Sequence, residues 1–254
     1  IYILSRSHST FMENQGFFIP VLNWIDHGYI AIKAVIMSIS WLLAFYAIKH
    51  LPVTIVAPMR STGPFFTLLG ALAIFQENPS PMQWLGFTFI IISMMLYSRV
   101  GKKEGLDFKR NKWIYAILLA TALSAGSGLY DKFLLQYRHY APQTVLLWFT
   151  FYVVVILGIC LIFVWYPQRK KSTPFKWRWS LPFVGIFMVA SDFVYYKALQ
   201  DPKALITILS AIRLSNILIV VLVGGIIFKE QNKRQKLIPL LGMMIGVALI
   251  LYSA

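Results

Sequence analysis

Apolar runs of nearly constant length, separated by short polar turns, dominate the 254-residue chain. Eight follow one another: Gly28 to Ile48, Pro52 to Phe75, Pro81 to Ser98, Trp113 to Leu135, Pro142 to Tyr166, Leu181 to Leu199, Ala204 to Phe228 and Leu237 to Tyr252. Each is near the ~20 residues with which an α-helix crosses ~30 Å of hydrocarbon. No run alternates apolar and polar positions with the period of two that a barrel strand needs. The pattern predicts an all-α integral membrane protein, a helical bundle with eight transmembrane helices in the sequence.

Composition agrees: 58% of residues are hydrophobic, 13% are charged, and the mean hydropathy is +0.67. A soluble domain carries about 25% charged residues. The formal net charge of +15 would suggest nucleic acid in a soluble protein, but its placement gives another reading. One set of loops holds Lys49, the run Arg99 to Lys112, the run Arg169 to Arg178, and Lys229 to Lys236; the opposite face has Arg6, Lys33, Lys132, Arg138, Lys197 and Lys203. Basic loops stay on the cytoplasmic side. The richer set is therefore expected there, in a multi-pass protein of the cell (inner) membrane, and a nucleic-acid partner is not expected.

Candidate chemistry is sparse. The single cysteine, Cys160, falls in an apolar run and reads as a small buried hydrophobe. His8, His27, His50 and His139 are in or beside loops without metal-ligand spacing, so no metal or cofactor is expected. No nucleophile elbow, phosphate loop or dinucleotide fingerprint occurs, which disfavours an enzyme. Residues 1–27 lack the order of a signal peptide. Ile1 to Leu4 read as the tail of a span, followed by a loop that sets Phe17, Phe18 and Trp24 at headgroup level.

Comparing the chain with itself reveals a repeat. Trp41 to Ser98 resembles Asp192 to Ser253: Ala47 matches Ala198, Pro52 matches Pro202, Leu85-Gly86 matches Leu241-Gly242, and Tyr97-Ser98 matches Tyr252-Ser253. The interval from arginine to glutamate is the same in both copies, 60 to 77 and 213 to 230. The first copy, residues 28–99, holds three helices; a basic cytoplasmic linker covers 100–112; the second copy, residues 113–254, holds five. A unit of five helices reverses the orientation of the next one, giving inverted repeats with a site near the midplane.

The stretches FQENPSPMQWLGFTFIIISMMLYS and FKEQNKRQKLIPLLGMMIGVALILYS resemble the EamA domain of the drug/metabolite transporter superfamily. Members are built from two five-helix domains. The resemblance implies about 8 of an expected 10 helices, and secondary transport, often export, of amino acids, sugars or other small metabolites by alternating access.

Charged residues inside apolar runs are the sharpest site candidates. Arg60 and Arg213 lie roughly 12 Å and roughly 13 to 14 Å along their helices at ~1.5 Å per residue, one from each face. An arginine at the membrane centre costs at least ~2.5–3.5 kcal/mol and usually faces a wet cavity or the bundle interior. Each could bind substrate, clamp carbonyls freed by Pro58 and Pro64, or snorkel to headgroups. Ser61, Thr62, Ser215 and Asn216 flank them, and Trp41 and Tyr196 are aromatic wall candidates. Asp192 is near mid-span, either a proton carrier that couples transport or the counter-ion of Arg213 or Lys197. Asp131 and Lys132 read as an interfacial end or gate, and Glu77 and Glu230 as turn markers at helix ends.

The expected partners are a small polar or anionic substrate, the lipid bilayer and protons. Two further readings are a lipid-linked sugar flippase and a non-transporting membrane assembly or sensor subunit.

Overall fold

The computed structural model describes residues 19–51, 56, 59–60, 62–102, 111–168, 177–214 and 233–252. All its regular elements are helical: α1 Trp24–His50, α2 Gly63–Phe75, α3 Pro81–Lys102, α4 Lys112–Lys132, α5 Pro142–Cys160, α6 Ser180–Gln200, α7 Ile206–Leu214 and α8 Lys233–Tyr252. α4 runs on into a π turn, Phe133–Tyr137, and α5 into another, Leu161–Trp165. Among the described residues, four helical stretches are long and apolar enough to cross a membrane: Trp24–His50, Lys112–Tyr137, Pro142–Trp165 and Ser180–Gln200. Gly63–Phe75 and Pro81–Ser93 are shorter apolar helices.

Local chemistry sets the boundaries. α3 opens on a capping box: Ser80 Oγ accepts the Gln83 N–H at 3.3 Å, and Gln83 Oε1 accepts the Ser80 N–H at 2.8 Å. Asn111 Oδ1 accepts the Trp113 N–H at 3.0 Å and so caps α4. α2 and α5 begin with proline near the first position, where the missing N–H costs nothing. α2 ends as Gln76 turns left-handed at φ 51°, a place more often given to glycine.

The Pro52 to Phe75 run is not one uninterrupted helix. Met59 and Arg60 are helical, Thr62 is a turn whose hydroxyl donates to the Met59 carbonyl at 2.7 Å, and α2 restarts at Gly63. Pro64 is the physical cause, since it lacks the N–H that a continuous helix would need there.

The contacts divide the chain into two compact units. Unit 1 comprises residues 1–38 and 130–203, and unit 2 comprises 39–129 and 204–254. α1 and α4 each contribute residues to both.

In unit 1, α6 packs on α5 and on the π turn Phe133–Tyr137. Gln136 Nε2 donates to the carbonyls of Leu199 at 2.9 Å and Asp201 at 2.8 Å, tying that turn to the end of α6. Leu181, Phe183, Val184, Ile186, Phe187 and Val189 of α6 are exposed. A helix apolar nearly all round suits a lipid environment.

In unit 2, Ala44, Ala47, Leu51 and Val56 pack against Ile114, Ile117 and Ala120. Ser40 Oγ donates to the Ala120 carbonyl at 2.7 Å, a hydrogen bond across the same seam. α3 and α8 approach through small residues. A Cβ on Gly246 would sit 2.7 Å from the Gly86 carbonyl oxygen, so only glycine allows this approach.

Lys33 and Lys132 are not loop charges. Both are buried inside helices, at 2% and 6% exposure, and Lys197 is in α6, so three of the six cations on the sparsely charged side are not in loops. Cys160 is half-buried and free, so it is less enclosed than a core residue.

Candidate functional site

The apolar helices of unit 1 enclose an ion pair. Lys33 Nζ lies 2.7 Å from Asp131 Oδ1, and the two side chains are 3% and 6% exposed. Lys33 comes from α1, between Ile32 and Ala34; Asp131 comes from the last turn of α4, immediately before the π turn. Such π turns often accompany functional positions. The Lys33 ammonium also lies 4.0 Å from the centre of the Phe149 ring and 5.3 Å from that of Tyr196. One cation thus has a carboxylate and two aromatic faces around it. Lys132 and Thr144 are buried in the same unit, and Thr144 Oγ1 has no protein hydrogen-bond partner among the described residues.

Desolvating two charges costs several kcal/mol each, and their attraction repays it only with good geometry. A hydrophobic pair would hold the helices together at lower cost. The ion pair is therefore more costly than packing alone requires, as charges placed within membrane spans are.

A second polar cluster belongs to the same unit. Tyr140 donates a short hydrogen bond to Asp26 Oδ1, and the Arg138 guanidinium lies 3.4 Å from both that oxygen and the Tyr140 hydroxyl. Arg138 also lies over the Tyr29 ring. Burial, then the hydrogen bond to Asp26, pushes the Tyr140 hydroxyl above the ordinary tyrosine range, so it stays a donor at neutral pH. The hydrogen bond with Tyr140 likewise raises Arg138. Close by in sequence, His27 Nδ1 and the Tyr152 hydroxyl are 2.8 Å apart, and the His27 ring meets Trp148 edge-on.

Unit 2 holds a different kind of buried acid. Glu77 Oε1 accepts the Ile206 N–H at 3.1 Å, and Oε2 accepts the Thr207 hydroxyl. Glu77 thus caps α7, the helix that carries Arg213. Glu77 binds a backbone group at a helix end, as its place in the sequence suggests; Glu230 lies outside the described residues.

The other sequence candidates are dispersed. Arg60 and Arg213 both belong to unit 2 and are exposed. Thr62 is half-buried and engaged in the turn, and Trp41 is half-buried in the part of α1 assigned to unit 2. Asp192 is half-buried in α6. Tyr196, 2% exposed, stands beside Lys33. Ser61, Ser215 and Asn216 lie outside the described residues.

Asp131 and Lys132 are 4% and 6% exposed, which corrects their reading as an interfacial end. Sequence reasoning passed over Lys33 as a site residue. Its signal was the one that singled out Arg60, a lone cation with apolar neighbours on both sides.

These features define a multi-pass α-helical membrane protein with a buried charge pair among its spans. The model of the EamA-like transporter family matches residues 8–99 and again 111–252, and the chain belongs to that family. It is 23% identical over 210 residues to the pseudopaline exporter CntI of Pseudomonas aeruginosa, covering 81% of this chain and 66% of that one. It is 26% identical over 137 residues to the uncharacterized transporter sll1319 of Synechocystis sp., covering 53% and 40%. A phosphatidylglycerol–prolipoprotein diacylglyceryl transferase of Symbiobacterium thermophilum is 29% identical over 144 residues, covering 50% and 52%. The chain spans less than two thirds of the length of each of these relatives.

Proposed function

We propose that the chain is the membrane core of a secondary transporter that exports a small polar or anionic metabolite, such as an amino acid or sugar derivative. The observation that carries this reading is the Lys33–Asp131 pair, buried between helices apolar enough to span a membrane. Charges so placed are expensive and mark substrate or ion paths more often than packing. Family membership and the exporter name of one relative support the same direction. The family match, over most of the chain, also favours a carrier over an enzyme.

In this reading the two repeats rock about the site, so that it opens to each face in turn. The substrate contacts in this reading are Tyr196 beside Lys33 in unit 1 and, in unit 2, Arg60, Arg213, Thr62 and Trp41 together with Ser61, Ser215 and Asn216. Asp192 carries the coupling proton. The strongly basic loops favour a cytoplasmic position for themselves in the inner membrane.

Proteoliposomes charged with labelled amino acids and sugar derivatives test the reading. Wild-type protein is expected to accelerate flux of at least one solute class. Arg60→Ala and Arg213→Ala should each lower it at least ~10-fold while folding is kept, a loss equivalent to about 1.4 kcal/mol of transition-state binding. Asp192→Asn should remove the response to a pH gradient. No solute flux by folded wild-type protein would sink the proposal, and movement of a lipid-linked sugar instead would make it a flippase.

A further inference from the structure

We propose that Lys33 binds a carboxylate of the transported molecule, with Asp131 as its resting counter-ion; the inference rests on the transport reading and names its substrate class. An ammonium has three N–H donors. Asp131 Oδ1 lies 2.7 Å from the ammonium as an ion-pair contact. Phe149 and Tyr196 stand close to the ammonium, at 4.0 and 5.3 Å from their ring centres. An aromatic face attracts a cation through its quadrupole but offers no lone pair, so an oxygen anion improves on it wherever one can reach.

The same rings select the rest of the ligand. They are apolar and buried, at 5% and 2% exposure, and meet the carbon skeleton that carries the carboxylate as the helices part. Pockets for small molecules combine such walls with one or two placed charges. A neutral amide of the same shape loses the charge-assisted bond while keeping the packing, so the site discriminates acid from amide. Asp131 competes with the ligand for Lys33, which keeps affinity moderate and lets the ligand leave. Removing Asp131 therefore opens the ammonium to small anions from solution.

Chemical rescue tests this on the full chain in detergent. Asp131→Ala removes the carboxylate and leaves room for a small one. Acetate or formate, compared with chloride at equal ionic strength, is expected to raise the melting temperature of Asp131→Ala by several degrees. Acetamide should do nothing, and wild type should respond less. Adding Lys33→Gln should abolish the rescue. Where Asp131→Ala does not fold, Asp131→Ser, which is also shorter than aspartate, serves the same comparison with formate.

Equal responses to acetate and chloride in the folded variant would overturn the proposal, because a purely structural pair closed to solution gives that result. Rescue that persists without Lys33 would overturn it too. The two readings fail separately: wild-type flux without rescue removes only the carboxylate site, whereas rescue without wild-type flux leaves a binding site and removes transport.

Discussion

Asp131 in unit 1 and Glu77 in unit 2 are both acids with about 4% of their surface exposed, yet they are held in opposite ways. Asp131 faces an ammonium at the end of a four-carbon stem. Glu77 faces the first N–H of α7 and the Thr207 hydroxyl, fixed at the positive end of a helix. A helix terminus cannot withdraw without unwinding, so Glu77 is answered permanently. A lysine can turn its donors toward another oxygen. The difference separates a carboxylate that positions a helix from one whose cation can turn to another oxygen, as the proposed transport requires.

The largest expected effect comes from breaking the exchangeable side. Lys33→Met leaves Asp131 without its ammonium, at a cost of about 3–5 kcal/mol for a buried pair that loses one partner. Thermal unfolding in detergent should show that loss, and flux should fall to background even in the fraction that folds.

Glu77→Gln tests the fixed side. It keeps an oxygen for the Ile206 N–H but gives up the charge, so stability should drop by about 1–3 kcal/mol. Solute selectivity in proteoliposomes should not change, and a change in selectivity would mean that Glu77 also meets the solute.

Gly246→Ala is a second stability control within unit 2. Its new methyl would press on the Gly86 carbonyl and lie 3.2 Å from the Ile90 nitrogen, backbone atoms that cannot rotate away. Overpacking of this sort costs about 1–3 kcal/mol, read again as a lower melting temperature at unaltered selectivity.

The smallest effect is expected at Tyr140. Its raised pKa means that the folded protein holds the phenolic proton more tightly than the unfolded chain. That contribution is complete below the unfolded value of about 10 and is lost as pH rises through the higher folded one. Tyr140→Phe should therefore melt slightly lower than wild type at neutral pH, with the gap closing in strong alkali.

Much of the fold was legible because its determinants are local. Ser80 with Gln83, Asn111, and the prolines at 64 and 142 sit where the helices begin, and apolar length gave the spans between them. The break at Thr62, just before Gly63 and Pro64, is local in the same sense, although the apolar run itself reads straight through it. The site was less legible. Tyr196 stood among the aromatic candidates, but Lys33 meets Asp131 across two helices, and no spacing along the chain reports such a meeting. The π turn at Phe133–Tyr137 depends in the same way on Gln136 reaching the end of α6. Sequence repeats and compact units also divide the chain differently. Similarity groups residues 28–99 and 113–254, whereas packing draws each unit from both parts, because likeness records how segments are related and contacts record which surfaces bury one another.

The central claim, that Lys33 and Asp131 serve transport and not packing alone, is tested most directly by exchanging them. Lys33→Asp combined with Asp131→Lys keeps one charge of each sign in the same place. Flux per folded molecule in proteoliposomes is expected to stay at background although the melting temperature recovers toward wild type, because the ammonium no longer stands where Phe149 and Tyr196 face it. Flux restored along with stability would contradict the account.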